Sequence, residues 1–171
     1  KQNHWATGLN GFIFIGFLSL LINFFSPLNK LIGTIFIILS IILFILYFFE
    51  VQNKKKLLFL LLIISLSSFS IVALSNINRP DAGLYHLPYI SILQENKIIL
   101  GLTNLHYRFG HTSILQHISA IHNSYFLKKE FLNIPTATLV SFYLFFLIHN
   151  FINEYKNKNK SNIIIIFFIF I

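Results

Sequence analysis

Asp81 is the only aspartate of the chain, and it stands in NRPDAGLYHLPYI, where a long apolar run gives way to a polar loop. Arg79 lies two residues before it. Tyr85, His86, Tyr89, His106, Tyr107, Arg108, His111, His117 and His122 follow before the next apolar run. A carboxylate at a membrane surface can take a proton from an acceptor hydroxyl or hold a divalent cation. The same carboxylate before Ala82 to Leu87 can cap a helix, for ~1 kcal/mol, and one residue can do both. Arg79 and Arg108 can grip a phosphate or pyrophosphate through forked, charge-assisted hydrogen bonds; Arg79 can equally snorkel to the headgroups. Tyr85, Tyr89 and Tyr107 suit an interfacial aromatic belt, and the same rings can stack on a sugar. Tyr85, His86 and His106 are the candidate substrate contacts. Glu95 and Glu130 sit in charged turns and read as solvent-facing.

The histidines invite a metal reading, which helical geometry opposes. Zinc-binding helices place two histidines at i and i+4 on one face. His117 and His122 fall roughly 140° apart around a helix, on opposite sides of its apolar stripe. His111 and His122 share a face but are about 16 Å apart along a continuous helix. No metal site is expected from them, and a divalent cation at Asp81 is the one cofactor the loop could hold. Cysteine is absent, which removes disulfides, thiolate metal sites and cysteine nucleophiles from consideration.

The elements that position these residues are apolar. Of the 171 residues 56% are hydrophobic and only 11% charged, against about a quarter charged in soluble domains. Runs such as LIGTIFIILSIILFILYFF reach the ~20 residues a bilayer crossing needs. The fold class is all-α: a polytopic transmembrane helix bundle with an interfacial helical outer loop. Three spans fill residues 1–74, at about 5–25, 31–49 and 57–74; a fourth runs over about 134–151, and a fifth begins at 163. Pro27 and Asn29 make SPLNK a tight turn. With no methionine anywhere and a last residue inside an apolar run, the chain reads as a fragment of a longer protein.

The net charge of +8 does not point to nucleic acid, because most basic residues flank the apolar runs as topology signals do. Lys54, Lys55 and Lys56 fall in one short connection and Lys156, Lys158 and Lys160 in another. Alternating spans put both on one side, which the positive-inside rule makes cytoplasmic. The 75–131 loop then faces the outside of a bacterial cytoplasmic (inner) membrane, in the periplasm. The spans carry no carboxylate or lysine of the kind that marks an ion pathway.

The loop is too long and too apolar for an idle or disordered connector. It reads as a helix start at Pro80-Asp81, a kink or a second helix at Pro88, an ordered stretch punctuated by Gly101 and Gly110, and an amphipathic helix in Ser113 to Phe126. Ile114, Ile118, Ile121 and Tyr125 recur at helical spacing, opposite Gln116, Ser119 and Asn123. Such a helix lies on a membrane surface or against neighbouring spans.

An acid just outside a span, followed by a short amphipathic helix with His or Tyr, resembles the first large outer loop of the superfamily C glycosyltransferases. The string DAGLYHLPYISILQENKIILGLTNLHYRFG is also similar to a group of bacterial multi-spanning proteins of unassigned activity. Those carry D-x-G-L-Y-H-L followed by G-L-x-N-L-x-x-R-x-G, a match covering roughly Asn78 to Asn123. The glycosyltransferase resemblance implies transfer of a sugar from a polyprenyl-phosphate carrier to an envelope glycan or lipid acceptor, with Asp81 as base or cation ligand. The partners it implies are the lipid bilayer, the lipid-linked sugar donor and that acceptor. Two departures stand out: here at least three spans precede the acid, where the glycosyltransferase acid usually follows the first, and the segment stops too early to show a second acid in a later outer loop. The other reading is non-enzymatic, a translocator or structural subunit for envelope polysaccharide.

Overall fold

The computed structural model describes residues 4–74, 82–110, 113–127 and 132–157. Among these the chain is helical without strands. Four helices are long and apolar enough to cross a membrane: α1 (His4–Phe25), α2 (Lys30–Glu50), α3 (Lys54–Leu74) and, after the loop, α6 (Ile134–Lys156). The chain is a polytopic membrane protein, with spans where the apolar runs place them. The run beginning at 163 lies outside the described residues.

The span ends follow from side chains that meet orphan backbone groups. The Asn29 side chain accepts from the Ile32 N–H at 3.1 Å and caps α2. Asn53 accepts from the Lys56 N–H at 3.1 Å, so α3 begins among the lysines rather than after them. At the far end α6 continues through Asn-Glu-Tyr to Lys156, and the Asn157 N–H closes on the Asn153 and Tyr155 carbonyls.

The spans pack unequally. α6 lies against both α1 and α3. Facing α3, the hydroxyls of Ser141, Ser67 and Ser68 meet at 3.0 and 3.3 Å; small hydroxylated residues let transmembrane helices approach closely. Against α1, the Phe142 ring fills the space left by Gly8, and Trp5 stacks on Phe145 with centroids 5.1 Å apart. α2 is almost wholly exposed along its length, Gly33 being its buried residue.

Between α3 and α6 come a π-turn (Ala82–His86), α4 (Leu87–Glu95), two 3₁₀ turns (Leu102–Asn104 and Tyr107–Gly110) and α5 (Ile114–Ile121). Pro88 opens α4 at its first turn. It has no N–H to donate one turn back, and the wider π winding of residues 82–86 absorbs the missing bond. Gly101 takes φ 83°, a left-handed conformation suited to glycine, and starts the first 3₁₀ turn.

α4 is fastened to the end of α1. The Asn23 side chain, fully buried, donates toward the carbonyls of Asn96, Ser26 and Leu93 at 3.1, 3.3 and 3.4 Å. The Asn23 backbone carbonyl accepts the Ile98 N–H at 2.9 Å, and the Leu28 N–H donates to the Leu93 carbonyl at 2.9 Å. These bonds satisfy the carbonyls that the last turn of α4 leaves open. Leu28, Tyr89, Ile90, Leu93, Ala120 and Ile121 then form the main buried cluster.

α5 takes the second of the two placements its pattern allows, against the spans. Its polar residues Gln116, Ser119 and Asn123 are buried along with Ile118 and Ile121. Gly16 of α1 gives it a seat: a Cβ there would fall on the Ile114 side chain. Gly33 of α2 gives the other, since a Cβ there would fall on the carbonyl oxygens of Ile121 and Asn123. Gly16 is about 13 Å back along α1 from Phe25, so the first turn of α5 lies well down the length of α1 and not at its end. The segment between α3 and α6 is therefore packed against α1 and α2 along their length as much as over their ends.

Two outcomes follow for the fold. Replacing Asn23 by Leu removes the side-chain donor shared by the Asn96, Ser26 and Leu93 carbonyls and should cost about 1–3 kcal/mol, seen as a lower unfolding temperature of the purified protein in detergent. Gly33→Leu should unseat α5; because the chain lacks cysteine, a single Cys introduced at buried Ser119 should label several-fold faster with maleimide in that background. Unchanged labelling would mean α5 does not depend on the glycine seat.

Candidate functional site

The loop elements gather most of the chemistry-bearing residues at the end of the bundle where α4 and the 3₁₀ turns lie. The Arg108 guanidinium stands over the Tyr85 ring, 4.9 Å from its centroid, and over the Tyr107 ring at 5.6 Å. Its Nε donates to the Tyr107 hydroxyl at 2.9 Å. A guanidinium between two aromatic faces is held by its attraction for their electron-rich surfaces. Tyr85 also lies on His86, with ring centroids 4.2 Å apart, and His106 stacks on Tyr107 at 5.2 Å. Four of the residues singled out in the sequence, Tyr85, His86, His106 and Arg108, are thus one cluster. Arg79 and Asp81 lie outside the described residues, as does His111; in sequence Asp81 immediately precedes the π-turn that carries Tyr85 and His86.

The capping of α5 decides which protons the nearby imidazoles carry. Ser113 and Gln116 form a capping box: the Ser113 hydroxyl accepts from Leu115 N–H at 3.2 Å, and Gln116 Oε1 accepts the Ser113 N–H at 2.9 Å. A backbone N–H can only donate, so the amide atom facing it is the oxygen. Gln116 Nε2 therefore faces His86 Nδ1, 3.2 Å away, and donates to it. That leaves the His86 proton on Nε2. His106 Nδ1 accepts the Arg108 N–H at 3.3 Å, which puts its proton on Nε2 as well. Two imidazole N–H groups, a guanidinium and a tyrosine hydroxyl make a set rich in donors, and donors are what an anionic oxygen requires.

His117 has the opposite tautomer. Its Nδ1 lies 3.2 Å from the Ser113 carbonyl, which can only accept, so the proton is on Nδ1 and Nε2 presents a lone pair. Burial lowers the His117 pKa below the usual histidine value, against a smaller raising effect of the Ser113 carbonyl. Burial lowers that of His122 too, opposed by its hydrogen bond with Ile118. The two line different cavities. His117 borders one under the 98–109 stretch, and His122 borders an apolar one of about 360 Å³ between α1 and α2. Among the described residues no three His, Asp or Glu stand together as a metal site would need. Tyr89, buried beside Phe109 with centroids 5.9 Å apart, has its hydroxyl pKa raised by burial and stays protonated.

Gln116, Ser113 and His117 were missed as site residues by reading the sequence for charge. The S-x-x-Q spacing is itself a capping-box signature, so the cap was there to be found; that its glutamine would reach His86 was not.

The lowered histidine pKa values set a direction for pH dependence. Below about pH 6.5 the unfolded chain protonates His117 and His122 while the folded chain keeps them neutral. The unfolded state then binds more protons, so stability is fully present above about 6.5 and is lost as pH falls toward the lower folded values. A fall in unfolding temperature on acidification is expected, and a His117→Gln, His122→Phe double variant should flatten it. An equal slope in the double variant would assign the effect elsewhere.

Comparison with curated proteins and with solved structures returns no match. A family profile described as a domain of unknown function, DUF8201, matches residues 1–171. That match spans the four membrane helices and the loop that carries the Arg108 cluster, and the chain accordingly belongs to the DUF8201 family.

Proposed function

We propose that this protein transfers a sugar from a polyprenyl-phosphate carrier to a glycan or lipid acceptor at the outer face of a bacterial cytoplasmic membrane. The observation that carries the reading is the donor-rich cluster built on Arg108: a guanidinium over the rings of Tyr85 and Tyr107, which in turn contact the rings of His86 and His106, both protonated on Nε2. It suits a phosphate at the end of a lipid chain, since it stands where membrane-spanning helices give way to loop.

In this reading Asp81, next in sequence to the π-turn bearing Tyr85 and His86, takes the proton from the acceptor hydroxyl. The acceptor oxygen bonds to the sugar's anomeric carbon as the bond from that carbon to the phosphate oxygen breaks. The electron pair leaves with the phosphate, whose growing charge is met by Arg108 and Arg79. Tyr85, His86 and His106 contact the substrate. The products are the glycoside and the free polyprenyl phosphate, with the proton on Asp81. The clustered lysines at the opposite ends of the spans support the orientation, through the excess of basic residues on cytoplasmic sides.

The test uses full-length protein in membrane vesicles supplied with a panel of polyprenyl-phosphate hexoses. Asp81→Asn should abolish transfer while the protein still inserts. Arg108→Lys, which keeps the charge and loses the fork, should lower transfer roughly ten- to a hundredfold, the worth of charge-assisted hydrogen bonds. Unchanged transfer in Asp81→Asn sinks the assignment. A loss of stability in Asp81→Ala that both capping substitutions, Asp81→Ser and Asp81→Asn, restore with transfer unchanged would leave the residue a helix cap and favour a non-enzymatic role in polysaccharide translocation.

A further inference from the structure

The glutamine of the α5 capping box makes a contact that capping does not require. At the third helical position either Glu or Gln completes a box with Ser113, and a carboxylate there would gain from the positive end of the helix dipole. Capping alone does not call for an amide. The second contact does. Gln116 Oε1 is committed to the Ser113 N–H at 2.9 Å, and Nε2 stands 3.2 Å from His86 Nδ1. An amide accepts at one end and donates at the other, whereas a carboxylate only accepts. With glutamate at this position, Nδ1 would have to carry the proton for the contact to survive.

The setting gives the contact a direction. Gln116 is 7% exposed and belongs to a helix seated on Gly16 and Gly33, while His86 is exposed at the end of the π-turn. The buried amide is therefore the fixed partner and the imidazole is the one that is set. The Ser113 N–H decides which way the amide faces, and the amide decides which nitrogen of His86 accepts. The Tyr85 ring, 4.2 Å from that of His86, also lies under the Arg108 guanidinium at 4.9 Å. Two groups with N–H to offer thus share one ring.

We propose that Gln116 is a positioning residue: it holds His86 as an Nε2–H donor and so fits the Tyr85–Arg108 cluster for an anionic phosphate oxygen. The inference rests on the reading of that cluster as the carrier-phosphate site. With its proton on Nδ1 instead, the imidazole would meet the same oxygen with a lone pair, and the two would repel.

The experiment uses the full-length protein, labelled with ¹⁵N in its histidine and glutamine side chains, in phospholipid nanodiscs at an alkaline pH where histidine is neutral. In the wild type the His86 resonances, identified by their loss in His86→Phe, should show a protonated Nε2, an unprotonated Nδ1 and a cross-peak between Nδ1 and the Gln116 amide protons. Gln116→Glu should move the proton to Nδ1 while the unfolding temperature stays near the wild-type value, because the capping box survives. A residue that only capped the helix would leave the imidazole unchanged. With lipid-linked donor added, the same variant should lower sugar transfer roughly tenfold, the worth of a hydrogen bond to a charged group. A proton still on Nε2 in the Glu variant, or no cross-peak in the wild type, overturns the proposal. A moved proton with unchanged transfer overturns it too, provided that Asp81→Asn abolishes transfer. Where the wild type transfers no sugar, the carrier-phosphate reading has failed, and the tautomer shift, measured without any donor, decides for Gln116. Should the Glu variant fail to fold, the wild-type cross-peak decides alone.

Discussion

Everything at the loop end of this bundle hangs on hydrogen bonds that water is not there to make. In a hydrocarbon layer, backbone N–H and C=O groups must be met by the protein itself. Asn23 does this for two elements at once: its side chain reaches the carbonyls at the end of α4, and its backbone carbonyl takes the N–H of Ile98. The Leu28–Leu93 bond beside it closes the same joint. With α4 held on α1, the π-turn before it and the 3₁₀ turns after it have fixed starting points. Gln94 of α4 then donates to the Ala120 carbonyl and carries the restraint to α5.

α5 passes that restraint on to the chemistry. Glycines at 16 and 33 let it approach the spans more closely than any side chain would allow. Its burial requires that its first turn be capped from within, and Ser113 and Gln116 supply the cap. The glutamine amide, oriented by the N–H it must accept, then donates to His86, while the Ser113 carbonyl takes the proton of His117. One capping box therefore gives two imidazoles opposite tautomers. His86 carries its proton on Nε2 and His117 on Nδ1.

The result is two adjoining environments separated by aromatic rings. One is cationic and donor-rich, suited to an anion. The other is a small cavity walled by Tyr89, Phe109 and aliphatic side chains, with no acid, lysine or arginine among the described residues that line it.

Much of this architecture was legible in the order of residues. Twenty-residue apolar runs can satisfy their backbones in a bilayer only as helices, so four spans followed from composition and length. The turn at Pro27 and Asn29 was equally local, and so were the amphipathic character of 114–121 and the angular separation of His117 and His122. What could not be read there is how residues far apart in the chain meet. The amphipathic pattern of α5 fits a membrane surface and a buried interface equally well; the choice was made by glycines some eighty to a hundred residues away. Asn23, an unremarked polar residue in an apolar run, acquires its role only when α4 lies across it. Arg108 finds Tyr85 because the π-turn and the second 3₁₀ turn come together in space. Local sequence determines which backbone groups need partners, and only the tertiary structure decides which distant side chains provide them.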